Sequence, residues 1–138
     1  MTVGAWFDAD ERRVVAAALD AQVPGASELG AVDYVERLLT ALEHDPPTIW
    51  AAPAISGTAW LELGPWERAA WTSRIAGWRE AYARVVAGTA TEADTRMLHD
   101  HACEATYGDP AYGGNQGEGG WRQIDFPSPM FPPERAPA

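Results

Sequence analysis

The sequence has no lysine, a single cysteine, and no uninterrupted apolar run near the roughly eighteen residues that a membrane-spanning helix needs. One cysteine, Cys103, excludes an internal disulfide framework, so the fold must rest on packing, and a buried thiol is the simplest reading of it. All ten basic residues are arginine, a bias that follows a GC-rich coding sequence and carries no mechanism. Basic excess is missing too. Twenty acidic residues against ten basic ones give a net charge of −10, which repels a phosphate backbone and argues against nucleic-acid binding. Residues Met1 to Asp8 lack the basic region, apolar stretch and small-residue cleavage site of a signal peptide. Arg12-Arg13 is not followed by an apolar region and does not make a twin-arginine signal, so the expectation is a soluble, cytoplasmic protein. Gly-x-Ser-x-Gly, His-Glu-x-x-His and dinucleotide fingerprints are absent, and nothing in the sequence argues for catalysis by this chain.

What is present fits one domain. With 138 residues, 46% of them hydrophobic, the chain is long enough for one core and too short for two. Asp8 and Glu11 form a capping box that opens a first helix, with Val14, Val15, Ala18 and Leu19 on one face and Pro24-Gly25 as its stop. Ser27 is positioned to cap a second helix carrying Val32, Val35, Leu39 and Leu42, which Asp45-Pro46-Pro47 ends. Residues 48–63, with Trp50 and Trp60, read as an irregular, partly buried connection.

Gly64-Pro65 opens the third and longest helix, because proline at the first helical position loses no hydrogen bond. Trp71, Ile75, Trp78, Tyr82 and Val85 form its apolar stripe, and Gly88 is its expected C-terminal cap. Thr91 with Asp94 starts a fourth helix, bearing Met97, Leu98 and Ala102, which ends near Gly108. Beyond Asp109 come Gly113, Gly114, Gly117, Gly119 and Gly120, and after Phe126 prolines dominate. No internal repeat is present, which excludes solenoids. These patterns predict an all-α fold: a bundle of about four helices with an extended Gly/Pro-rich C-terminal segment. One helical domain is expected over 1–127, followed by a flexible Pro-rich tail over 128–138.

Tyr107-Gly108-Asp109-Pro110-Ala111-Tyr112-Gly113-Gly114-Asn115, then Gly120-Trp121 and Ile124-Asp125-Phe126-Pro127, resembles the closing signature of the gluconate 2-dehydrogenase subunit 3 family. The stretch Pro24 to Val35 is similar to that family's first inter-helix turn and second helix. The resemblance implies a small helical accessory subunit that binds no cofactor itself. It would stabilise or assemble an FAD-dependent large subunit of the glucose-methanol-choline class acting on a sugar, sugar acid or polyol, with a multihaem cytochrome c as a third partner in some complexes. Exported members often carry a twin-arginine signal. Its absence here implies either a cytoplasmic complex or an export signal on the partner. Members also often end in Phe-Pro-Gly where this chain has Phe126-Pro127-Ser128.

Independently of any family, Asp109-Pro110 sets a turn, Gly113-Gly114 admits unusual backbone angles, and the Asn115 side chain can bond nearby backbone. Tyr112 and Trp121 are amphipathic rings of the kind that anchor interfaces. The candidate partner-interface residues are therefore Asp109, Pro110, Tyr112, Gly113, Gly114, Asn115, Trp121 and Phe126, with no catalytic, cofactor or metal role given to any of them. Exposed aromatics also favour homodimerisation when the partner is missing.

Competing readings are weaker. The Gly-rich loop lacks the lysine and the strand-to-helix context of a phosphate cradle, and it contains Glu118. The Trp71–Val85 stripe suits a core better than a cofactor or sugar platform. His99 and Cys103 share a helix face while His101 points elsewhere, so at most two metal ligands converge. Asp100 and Glu104 also share a face and read as a solvated flank rather than a catalytic pair. A stand-alone enzyme or ligand-binding protein using the Trp-rich surface with His99 or His101 is the alternative function.

Overall fold

The capping box at Asp8 forms as expected. Glu11 N–H donates to Asp8 Oδ1 at 2.8 Å and Asp8 N–H donates to Glu11 Oε1 at 3.0 Å. In this computed structural model, which describes residues 5–43, 63–108 and 114–123, α1 runs over Ala9–Gln22. It buries Val15 and Leu19 completely, whereas Val14, expected on the same face, is 42% exposed. Val15 and Leu19 lie one turn apart, and Val14 is rotated about 100° off that line by the 3.6-residue period.

Ser27 does not cap the second helix. Its N–H and hydroxyl both donate to the Asp20 carboxylate, at 2.7 and 2.6 Å. Ser27–Leu29 forms a 3-10 turn, Gly30 adopts the left-handed conformation at φ 91°, and α2 begins only then, over Ala31–Leu39. Seven of the nine residues of α2 are buried: Ala31, Val32, Tyr34, Val35, Glu36, Leu38 and Leu39. It is the most deeply buried of the four long helices. Leu42, expected at the end of its stripe, is partly buried in a 3-10 turn over Ala41–Glu43. The Asp45-Pro46-Pro47 stop and the 48–62 part of the connection lie outside the described residues.

The longest helix, α3, spans Pro65–Ala87 with Pro65 in its first turn, and at 23 residues is about 35 Å long. Gly88 closes it at φ 78°, with Gly88 N–H on Val85 O and Thr89 N–H on Arg84 O. A second capping box, Thr91 with Asp94, opens α4 over Glu92–Tyr107. The same Asp94 receives both arms of Arg84 from α3, at 2.7 and 2.8 Å, which pins the α3–α4 turn.

Four helices thus enclose one core, in which Val15, Leu19, Val35, Leu39, Tyr82 and Ala102 are fully buried. Burial of each large aliphatic contributes about 1.5–3 kcal/mol. The all-α class expected from the pattern is the fold observed, and no strand occurs among the described residues. The segment after α4 is not extended where it is described. It makes a 3-10 turn over Gln116–Glu118 and a short helix, α5, over Gly119–Gln123. No helix among the described residues is long and apolar enough to cross a membrane.

Candidate functional site

The C-terminal carbonyls of a helix have no partner within it. At the end of α4 they are met by the glycine-rich segment. Asn115 N–H donates to Ala105 O at 2.5 Å, Asn115 Nδ2 donates to Gly108 O at 2.7 Å, and Trp121 Nε1 donates to Tyr107 O at 2.5 Å. Asn115 Oδ1 in turn accepts the N–H groups of Gly120, at 2.8 Å, and Trp121, at 3.3 Å. Asn115 therefore joins α4 to α5 from a fully buried position in the left-handed region, at φ 44°.

The glycines around it are required by close approach. A Cβ on Gly114 would strike the backbone of Ala105, and one on Gly120 would strike the carbonyl of Thr106. A Cβ on Gly119 would meet only the Leu29 side chain. Of the eight candidate interface residues, the structure thus brings together Gly114, Asn115 and Trp121, all facing inward, with Trp121 only 6% exposed. Within this chain they form an internal clamp. Asp109, Pro110, Tyr112, Gly113 and Phe126 lie outside the described residues.

A buried carboxylate on α2 fastens the residues ahead of α1. Glu36, 3% exposed, accepts the backbone N–H groups of Trp6 at 2.6 Å and Phe7 at 2.9 Å and pairs with Arg12, which also binds Asp33 at 2.9 Å. Arg79 covers the Trp6 ring and donates to Leu39 O. Nothing local in the sequence signals Glu36, because two of its partners are backbone groups about thirty residues away.

Between α3 and α4 runs an open groove of about 510 Å³, bordered by Arg74, Trp78, Arg96, Asp100, His101 and Glu104. His101 is 3% exposed and stacks on Tyr82, with 2.8 Å between its Nδ1 and the phenol oxygen, while the Trp78 ring stands at 80° to it with 5.0 Å between ring centroids. Burial holds the imidazole pKa down to about 4, and burial with the nearby Glu104 charge pushes the Tyr82 phenol well above its ordinary value. The couple is uncharged at neutral pH.

Asp100 and Glu104 are both exposed, as a solvated flank would be, and Glu104 in addition accepts the Tyr34 hydroxyl at 2.6 Å from α2. His99 Nε2 and Cys103 Sγ are 3.6 Å apart on the other flank of α4, away from His101, where burial raises the thiol pKa. Among the described residues no group of three His, Cys, Asp or Glu side chains is placed to hold a metal. The Arg96–Asp100–Glu104 spacing of four was the available signal for the groove, but the opposing wall on α3 is not evident from it.

Comparison with protein families, with curated proteins and with solved structures gave no match.

Proposed function

We propose that this chain is a non-catalytic accessory subunit that docks on the FAD-bearing large subunit of a sugar, sugar-acid or polyol dehydrogenase of the glucose-methanol-choline class, and stabilises it. Two things support the reading: the resemblance carried by Tyr107 to Pro127, and the exposed start of α3. The second carries the docking. From Pro65 to Arg74 no residue of α3 is buried, and Trp66 is 88% exposed.

A tryptophan left in water on a well-formed helix offers roughly 150–250 Å² of surface to a partner, the size of a typical interface anchor. The clamp around Asn115 serves this reading by holding residues 114–123 in one shape against α4 and Leu29 of the 3-10 turn, so that what they present is pre-organised. Hydride removal from the substrate belongs to the partner's flavin, and association stabilises the large subunit by mass action. In some complexes of this class a multihaem cytochrome c is a third component.

Co-expression with the flavoprotein encoded beside it tests the proposal. Flavin is expected in the larger chain, the two chains should co-purify, and Trp66→Ala should weaken association about tenfold or more, as loss of an anchor does, with no change in the melting of the isolated chain. Undiminished association of the Trp66→Ala variant, or flavin or haem in the isolated chain, overturns it.

A further inference from the structure

We propose that the groove between α3 and α4 binds a neutral polyhydroxylated small molecule, a sugar or polyol. The groove has the volume of a small-ligand site, about 510 Å³, and it is lined on one side by the partly buried ring of Trp78, an apolar surface suited to the C–H face of such a molecule.

Its polar groups are open to solvent in a pattern. His101 is more than nine-tenths buried and borders the groove. Its Nδ1 is taken by Tyr82, and Nε2 has no partner among the described residues. That nitrogen is not sealed from solvent, so a hydroxyl of a guest can take the place of water on it. Arg96 and Asp100 stand one turn apart on α4, and neither makes a hydrogen bond or ion pair among the described residues. Glu104 is held by Tyr34 through Oε1, which leaves Oε2 for a further donor.

The charges decide the ligand class. Arg74 and Arg96 are balanced by Asp100 and Glu104, so the groove presents no net field that would select an anion or a cation. It offers donors from the guanidinium of Arg96, acceptors from two carboxylates, and an imidazole that serves as either. Hydroxyl groups both donate and accept, and a chain or ring of them is the neutral chemistry that matches this alternation. Phosphorylated ligands would meet both carboxylates. The inference concerns the chain by itself and does not depend on a flavoprotein partner.

The experiment titrates the isolated full chain, ¹⁵N-labelled, with D-glucose, D-sorbitol, gluconate and glutamine, following the Trp78 indole and His101 side-chain resonances. Saturable shifts with at least one of the two neutral probes at millimolar concentration are expected, weakened about tenfold, the loss of one or two hydrogen bonds, by Asp100→Asn or Arg96→Gln. Both positions are exposed, and circular dichroism should not change. The proposal is overturned if neither neutral probe gives saturable shifts, if only gluconate or glutamine binds, or if both variants bind unaltered. Each of those results leaves the docking of α3 on a flavoprotein to stand or fall by co-purification.

Discussion

Trp121 donates its indole N–H to the carbonyl oxygen of Tyr107, so a ring from α5 caps the end of α4. Together with the two bonds that Asn115 sends to Ala105 O and Gly108 O, it supplies donors to three carbonyls at the end of that helix from a different part of the chain. The aromatic that looks like a docking anchor in the sequence is spent internally.

Asn115→Ala removes the side-chain bonds to Gly108 and Gly120 and leaves alanine at φ 44°, and should cost about 3 kcal/mol. Asn115→Asp keeps the acceptor but loses the donor to Gly108 O, and should cost about 1–2 kcal/mol. Urea denaturation of the three proteins checks the order. Equal midpoints for wild type and Asn115→Ala would show that the clamp contributes nothing.

The two neighbouring glycines should respond differently to the same substitution. Gly120→Ala sets a methyl group against the backbone carbonyl of Thr106, which is held in α4, and should detach α5 or destabilise the fold by several kcal/mol, of the order of 3. Gly119→Ala meets a leucine side chain that can turn aside, and should cost about 1 kcal/mol or less. Amide exchange over residues 114–123 in both variants distinguishes the cases.

His101 gives stability a definite pH dependence. The unfolded chain takes up a proton near the ordinary histidine value of 6.5, whereas the folded chain resists until about 4. Its contribution is therefore complete above about pH 6.5, declines as pH falls through that window, and levels off below about 4 after a loss on the order of 3 kcal/mol. Tyr82, Trp78 and the charges of Asp100, Glu104, Arg74 and Arg96 surround it. Asp94, whose carboxyl Arg84 holds well below its usual range, retains its contribution through this window and loses it only at lower pH. His101→Gln should flatten the profile between pH 6.5 and 4. An unchanged slope in urea midpoints would assign the effect elsewhere.

Glu36→Gln keeps the shape of the side chain but removes the charge that three donors share. A loss of about 2–4 kcal/mol is expected, since Arg12 is left without its buried partner. Limited proteolysis ahead of Asp8 should accelerate together with it. Resistance equal to wild type would mean that Phe7, edge-on to Tyr82 at 5.8 Å, holds the segment alone.

Local chemistry was the legible part of the fold. Asp8 with Glu11, Gly64-Pro65, Gly88 and Thr91 with Asp94 each mark a helix end because the cap and its target lie within a few residues. Ser27 misleads for the same reason: its local role lost to Asp20, seven residues earlier, and Gly30 took over the entry to α2. The glycines and Asn115 mark residues 114–123 as a shaped segment, but nothing in their pattern shows that it turns inward. Whether Trp121 faces solvent depends on the Tyr107 carbonyl and on the Thr106 backbone against Gly120, neither of which has a sequence signature. The groove escaped for a related reason, since Trp78 and Asp100 belong to helices whose mutual rotation is set by packing.

The carboxylate of Glu36 has a further consequence for the order of events during synthesis. Trp6 and Phe7 leave the ribosome about thirty residues before the group that fastens them. Until α2 has emerged, only the local Asp8–Glu11 box holds the start of α1, and the aromatic pair ahead of it lacks its carboxylate anchor.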